Sequence, residues 1–285
     1  MIKSIFKNEI LYFAFRNTKL RIGLGTVLFL IILTFLGPLL ARYNPTDFVG
    51  PTGIKPSADY WFGTTSMGED VFSQFVNGLA PTFLVGIVGG GLATLLGMTI
   101  GFAAGYRGGL LDEILSILTN VVLTIPALAL LMVLATYVTV RGPFVESLFI
   151  GCTTWPWAAR AIRSQTFTLR NRDFVDLAKM TGMSPVKIIF MEIAPNMASY
   201  LFMTFILMFG GAILTAATLD FLGLGPTQGI SLGLMMNYGM TNSALLLGMW
   251  WWFIPPGIGI TAIVGGLYVM NVGLDEVFNP KLREM

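Results

Sequence analysis

Asp220 is the one acidic residue between Glu192 and Asp275, and no charge of either sign follows it before Asp275. An ionisable group flanked by long apolar sequence is costly at membrane depth and is a functional candidate by default. Its place directly before "FLGLG" (221–225) allows either substrate contact or a structural hydrogen bond to that loop. Trp250 and Trp251, in "MWWWF" (249–253), offer stacking faces. Their first expected role is that of an interfacial aromatic anchor, with a surface for stacking a sugar as the alternative. Other chemistry is scarce. Histidine is absent and Cys152 is the single cysteine, which removes imidazole acid–base work, Cys/His metal sites and internal disulfides. No carboxylate pair, nucleophile triad or metal cluster is expected within an apolar stretch, so neither catalytic nor metal-binding residues are assigned. "AAGYRGG" (103–109) neither follows a strand nor opens a dinucleotide fold and reads as a tight turn. No Gly-x4-Gly-Lys-Ser/Thr phosphate loop is present, so the chain is not expected to hydrolyse ATP.

The elements that must position these residues are membrane helices. The 285 residues are 55% hydrophobic and 11% charged, with a mean hydropathy of +0.76. Soluble domains carry about 25% charged residues. Against the roughly 20 apolar residues needed to cross a bilayer, six spans are expected, near 22–41, 81–104, 114–138, 145–161, 197–218 and 255–272. "FLGLGPTQGISLGLMMNYGM" (221–240) is broken by glycine and proline and reads as a loop or re-entrant segment, which survives at that depth only where protein or water satisfies its backbone. Pro126 is expected to kink the third span. The glycine pairs Gly86–Gly90 and Gly97–Gly101 mark close helix packing in the second. The first apolar run is read as a span and not as a cleaved leader, since it ends in "GPLLARYNP" with no small-residue cleavage site.

Lysine and arginine set the orientation. With the N-terminus inside, the outer segments hold only Arg42, Lys55 and Arg141 of the 17 basic residues. Both termini and the polar island 173–196 are therefore expected in the cytoplasm. Within that island Asn171 or Asp173 can cap a short helix, with Phe174, Leu177, Ala178 and Thr181 on one face. Asp176 sits in its first turn, and Gly182 falls where a left-handed C-terminal residue is needed. Ser184-Pro185 restarts a helix, and Pro195-Asn196 mark the return to the bilayer. The outcome is a helix–Gly–helix elbow, which from these features alone could equally be an amphipathic connector lying on headgroups.

The order Asp176, Ala178, Gly182, Pro195 resembles the cytoplasmic loop motif of permease subunits of binding-protein-dependent ABC importers. "WFGTTSMGEDVFSQ" (61–74), "GFAAGYRGGLLDE" (101–113), "WPWAARAIRSQTFTLRNRDFVDLA" (155–178), "FLGLG" (221–225) and "NPKLR" (279–283) are similar to the dipeptide/oligopeptide/nickel branch, in order and spacing. The chain departs from the pattern at Asp176 and Leu177, where the loop has glutamate and alanine. It departs again at Glu69 and Gln74, where the branch usually has arginine, a change of sign for an extracellular surface.

The resemblance implies an all-α polytopic membrane protein of the type I ABC permease fold. It would have six transmembrane helices and both termini cytoplasmic, in the plasma membrane. The boundaries expected are a cytoplasmic segment 1–21, a first helix 22–41, an extracellular segment 42–80, a five-helix core 81–278 and a tail 279–285. The coupling loop occupies 162–196, with Asp176, Leu177, Ala178, Gly182 and Pro195 meeting an ATPase. The implied partners are a second homologous permease, two ATPase subunits that bind ATP and magnesium, an extracellular solute-binding protein and membrane lipids. Arg160, Arg163, Arg170 and Arg172 would hold the elbow near anionic headgroups. Neither nucleic acid nor a bound cofactor is implied. Di- or oligopeptides are the first substrate class, with cello-oligosaccharides or β-glucosides as the alternative. A proton-coupled secondary transporter, which would want intramembrane acids or inverted repeats, is the second function, and an integral membrane enzyme, weakened by the missing histidine and carboxylate pairs, is the third.

Overall fold

A computed structural model describes Phe13 and residues 15–137, 142–227 and 229–278. Its regular secondary structure is helical, and among the described residues extended pairing is limited to the isolated bridges Phe48–Glu69 and Thr64–Asp70. The long helices are α1 (Thr18–Leu40), α2 (Val71–Arg107), α3 (Gly109–Thr124), α4 (Ala127–Tyr137) and α5 (Pro143–Leu169). The elbow follows as α6 (Asp173–Met180) and α7 (Pro185–Ile188). A π-helical turn, Ile189–Ile193, and a short turn, Ala194–Asn196, then lead into α8 (Ala198–Phe221), α9 (Leu232–Thr241) and α10 (Trp250–Phe278).

Four of these helices, α1, α2, α8 and α10, are long and apolar enough to cross a membrane. The pair α3–α4 makes a fifth crossing if its two arms, bent by 78°, form one span. The bend has a local cause. Ile125 precedes Pro126 and adopts extended angles, because the proline ring disfavours the α region for the residue before it. The expected kink at Pro126 is thus a break. α5 is 27 residues long, but Arg160 and Arg163 in its second half dilute its apolarity below that of the other spans. In the stretch 221–240 the second half is the regular helix α9, capped by Ser231. Arg141 and the 279–283 motif lie outside the described residues.

Helix ends differ from the apolar runs because hydropathy marks membrane depth, whereas caps mark helix termini. α2 starts ten residues before Pro81, at a buried cap where Asp70 Oδ2 accepts from Ser73 N (2.8 Å) and Ser73 Oγ (2.6 Å). At about 1.5 Å per residue its 37 residues reach ~55 Å, well beyond the hydrocarbon layer. Asp70→Ala is expected to cost about 1–2 kcal/mol, since it orphans two buried donors. A thermal midpoint unchanged from wild type would remove that role.

Glycine decides which helices touch. Gly97, Gly101 and Gly105 form a stripe along α2. A Cβ at Gly97 would lie 2.5 Å from Ala158 Cβ, at Gly101 2.8 Å from Ala159 O, and at Gly105 2.7 Å from Arg163 O. Side chains would hold these backbones apart, so α5 reaches α2 only because the stripe is bare. Gly86 and Gly90 do the same against Phe209 of α8. α1 locks onto α10 by alternation, Gly23 against the Met270 backbone and Gly273 against Leu20. Where those two helices end, Lys19 pairs with Glu276, and Asn17 Nδ2 donates to Glu276 Oε2 at 2.8 Å. The start of α1 and the end of α10 therefore share a face. On the opposite face the segment between α1 and α2 packs over the start of α10, where Trp251 Nε1 donates to Thr64 O (3.1 Å).

Candidate functional site

The elbow is built on two different surfaces. Inward, Val175 and Ala178 of α6, Ile188 of α7 and Ile193 of the π turn are buried in one cluster with Phe102 of α2 and Ala158 and Ile162 of α5. Fully burying a Val or Ile side chain contributes about 1.5–3 kcal/mol, so the elbow is seated on the α2–α5 pair. Outward, Leu177 is 65% and Met180 84% exposed, together with Asp176, whose Oδ1 accepts from Lys179 Nζ at 2.8 Å.

This partition corrects the expected helix face. Val175 lies inward with Phe174 and Ala178, while Leu177 and Thr181 lie outward. The cap also differs. Arg172 is the N-cap residue and α6 has no side-chain cap bond. Asn171 Nδ2 instead reaches Phe167 O at 3.4 Å.

Gly182 stands where its residue type demands. Its φ is +76°, a left-handed conformation that costs other residues roughly 1–2 kcal/mol. Gly182 N donates to Lys179 O (3.0 Å) and Met183 N to Ala178 O (3.2 Å), the paired bonds of a Schellman C-cap. A Cβ there would meet nothing within 4 Å, so the turn is open on its outer side. Ser184 occupies the N-cap position of α7 without a side-chain bond, and Pro185 is its first residue. Pro195 has no N–H for the Met191 carbonyl, and its ring crowds that group. The helix widens before it, with Ala194 N bonded to Ile189 O, a five-residue π step. Pro195 itself is exposed.

The basic residues before the elbow are mostly spent within the protein. Arg163 binds Asp112 of α3 through Nε and, at 2.7 Å, through Nη2. Arg160 Nη2 donates to Asn120 Oδ1 (2.8 Å). Arg170 donates to the Gly105 and Tyr106 carbonyls (3.2 and 3.3 Å) and stacks on Phe167. These three bolt the end of α5 to α2 and α3, where headgroup contact was expected of them.

A family model, "Binding-protein-dependent transport system inner membrane component", matches residues 97–284, from the glycine stripe through the elbow to the tail. The chain belongs to this family. Among its relatives are the oligopeptide transport system permease protein OppC of Bacillus subtilis (strain 168), 31% identical over 99% of this chain and 91% of its own length, and DppC, the dipeptide transport system permease protein of the same strain, 30% identical over 94% and 83%. The probable D,D-dipeptide transport system permease protein DdpC of Escherichia coli (strain K12) is 31% identical over 97% and 92%. The chain is an ABC importer permease, a multi-pass protein of the plasma membrane.

At the face of the permease opposite the elbow, Asp220 is 3% exposed and accepts a hydrogen bond from Ser231 Oγ. Ser231, the N-cap of α9, is therefore tied back to α8, so the side-chain bond of Asp220 goes to the far end of the link and not to "FLGLG". Trp251 is 3% exposed and Trp252 1%, so both belong to the core, while Trp250 is 52% exposed. An aromatic belt is thus limited to one of the three tryptophans.

Gln74 is buried, and its Nε2 donates to Glu69 Oε2 and Pro45 O, each at 3.0 Å. These two departures from the branch pattern form an internal bond, so at Gln74 no surface charge is at stake. Sequence reading missed Glu146 altogether. It lies in the first turn of α5 and lines the same small cavity as Asp220. The expectation that no carboxylate pair stands among the spans is therefore corrected. The signal was an acid inside an apolar run, and the pairing itself is tertiary.

Proposed function

We propose that the permease forms half of the translocation channel of an ATP-driven importer of di- or oligopeptides. A second, homologous permease forms the other half, two ATPase subunits supply ATP and magnesium chemistry, and an external solute-binding protein delivers cargo. This chain is the non-catalytic subunit. It crosses the membrane six times, with α5 and the broken α3–α4 pair each counted as one crossing and both termini in the cytoplasm. The loop 162–196, which begins within the last turns of α5, is the coupling loop. The lysine and arginine distribution supports this orientation, and peptide cargo follows the names of the relatives. Those relatives lend no support to an oligosaccharide.

The observation that carries the reading is the two-sided elbow. Its inner face is locked to α2 and α5, while Leu177, Met180 and Asp176 stand outward beside an open glycine turn. In this reading Asp176, Leu177, Ala178, Gly182 and Pro195 transmit motion from the ATPase. Leu177 and Met180 fill an apolar groove, Asp176 meets donors, Gly182 lets the backbones approach, and Ala178 and Pro195 hold the knob's shape. A cysteine at Met180 is expected to crosslink to an ATPase subunit in the assembled importer, in a manner that changes with ATP. Labelling of that cysteine from outside intact cells, with no ATPase adduct, would defeat the assignment. A proton-coupled carrier gains the acid pair it lacked in the sequence, but it predicts uptake that survives depletion of ATP.

A further inference from the structure

Glu146 and Asp220 come from the first turn of α5 and the last turn of α8 and line one cavity. Asp220 is 3% exposed, with Oδ2 taken by Ser231 and Oδ1 without a partner. Glu146 Oε1 is likewise buried and without a partner. The other walls belong to α2, α8 and the loop entering α9, and among the described residues Thr82 and Ser231 are their polar side chains. Thr82 Oγ1 is already committed, donating to Gly78 O (2.8 Å) and accepting from Leu232 N (3.3 Å). Ser231 Oγ is committed too, between Asp220 and Leu234 N. Glu146 also faces Leu131 and Ala135 of α4, and no lysine or arginine among the described residues lines either cavity.

Two carboxyl groups cannot both be charged there without a positive partner, because each buried ion costs several kcal/mol and like charges add to that. A lone water supplies a dipole and no charge. The shared space is about 10 Å³ and the neighbouring cavity that Glu146 lines against α4 is about 30 Å³, room for a water or two and not for an ammonium-bearing chain. We propose that Glu146 and Asp220 bind one small monovalent cation, a proton or a sodium ion, which ties the start of α5 to the end of α8. The site stands apart from the elbow and does not depend on the transport reading.

The test uses the assembled importer in lipid nanodiscs, reading the midpoint of permease loss on heating by fluorescence-detected size exclusion. One arm replaces choline by sodium at constant ionic strength and fixed pH. The other moves from about pH 8 to about pH 5 without sodium. The midpoint is expected to rise by roughly 5 °C in one arm. A response in the sodium arm identifies sodium, and a response in the acid arm alone identifies the proton. Glu146→Gln and Asp220→Asn should each abolish the rise.

No rise in either arm overturns the proposal, as does an undiminished rise in Glu146→Gln. Arg141, the nearest cation to Glu146 in sequence, is the control. If Arg141→Gln lowers the midpoint while neither acid nor sodium moves it, the arginine is the counter-charge and the cation site does not exist. Should neither carboxyl variant accumulate, infrared difference spectra of the wild type replace them. A deuterium-shielded carboxyl band that responds to neither medium is then the overturning result.

Discussion

Gly182→Glu is expected to leave a permease that folds, inserts and binds its partner permease, yet imports almost nothing. The substitution meets no steric obstacle, because a Cβ at this position has no atom within 4 Å. The inner cluster of Val175, Ala178, Ile188 and Ile193 is untouched. The cost is local. A φ of +76° imposes roughly 1–2 kcal/mol of strain on a side-chain-bearing residue, which loosens the turn between α6 and α7. On the proposed docking surface a carboxylate also faces a closely packed partner. An uncompensated interfacial charge costs about 2–5 kcal/mol, so engagement of the ATPase should weaken by roughly a hundredfold.

Substrate-stimulated ATP hydrolysis and uptake should fall together, while the amount of permease in the membrane stays near wild type. Gly182→Asn separates strain from charge. Asparagine tolerates the left-handed region, and this variant should keep most of the uptake. Normal uptake by Gly182→Glu, with its accumulation verified, would mean that the elbow is not the coupling element.

Gly97→Leu is expected to have a still larger effect, of a different kind. Even the first carbon of a side chain would lie 2.5 Å from Ala158 Cβ and 2.9 Å from Ala159 N. The latter is helix backbone and cannot rotate away. α2 and α5 form the most extensive helix–helix contact of the molecule, so the clash must be relieved by separating them. Overpacking in a close-packed interior costs about 1–3 kcal/mol, and more where backbone must shift; at this crossing at least ~3 kcal/mol is expected. The elbow is seated on the same pair of helices, so its inner cluster should loosen too. The predicted result is little or no monodisperse permease by size exclusion. Gly25→Leu on α1 is the control, since nothing lies within 4 Å of its Cβ position and it should accumulate normally. Equal recovery of both variants would show that the glycine stripe does not set the α2–α5 distance.

Much of this was legible in advance, for reasons that differ from residue to residue. Apolar runs located the four helices that are long and apolar enough to cross a membrane, because burying uncharged sequence in hydrocarbon is the dominant free-energy term and needs no knowledge of neighbours. Gly182 and Pro185 announced the elbow because left-handed φ and a missing N–H are properties of single residues. Val175, and not Leu177, joins Phe174 and Ala178 inside, since a helix of eight residues has too few turns for periodicity to choose which side is buried. For Arg160, Arg163 and Arg170 the charge pattern alone points to lipid headgroups. Their actual partners, Asn120, Asp112 and the Gly105 and Tyr106 carbonyls, lie on other helices.

By itself the sequence determined that this is a helical membrane protein with a glycine-jointed polar elbow, because hydropathy, charge distribution and backbone restrictions act residue by residue along the chain. Only the tertiary structure decided which side of the elbow is keyed to α2 and α5 and which stands free. It alone brought Glu146 to Asp220 and turned Gln74 inward to Glu69. Those outcomes depend on how bare glycine stripes let particular helices approach, and the distance between two backbones is not encoded in either segment alone.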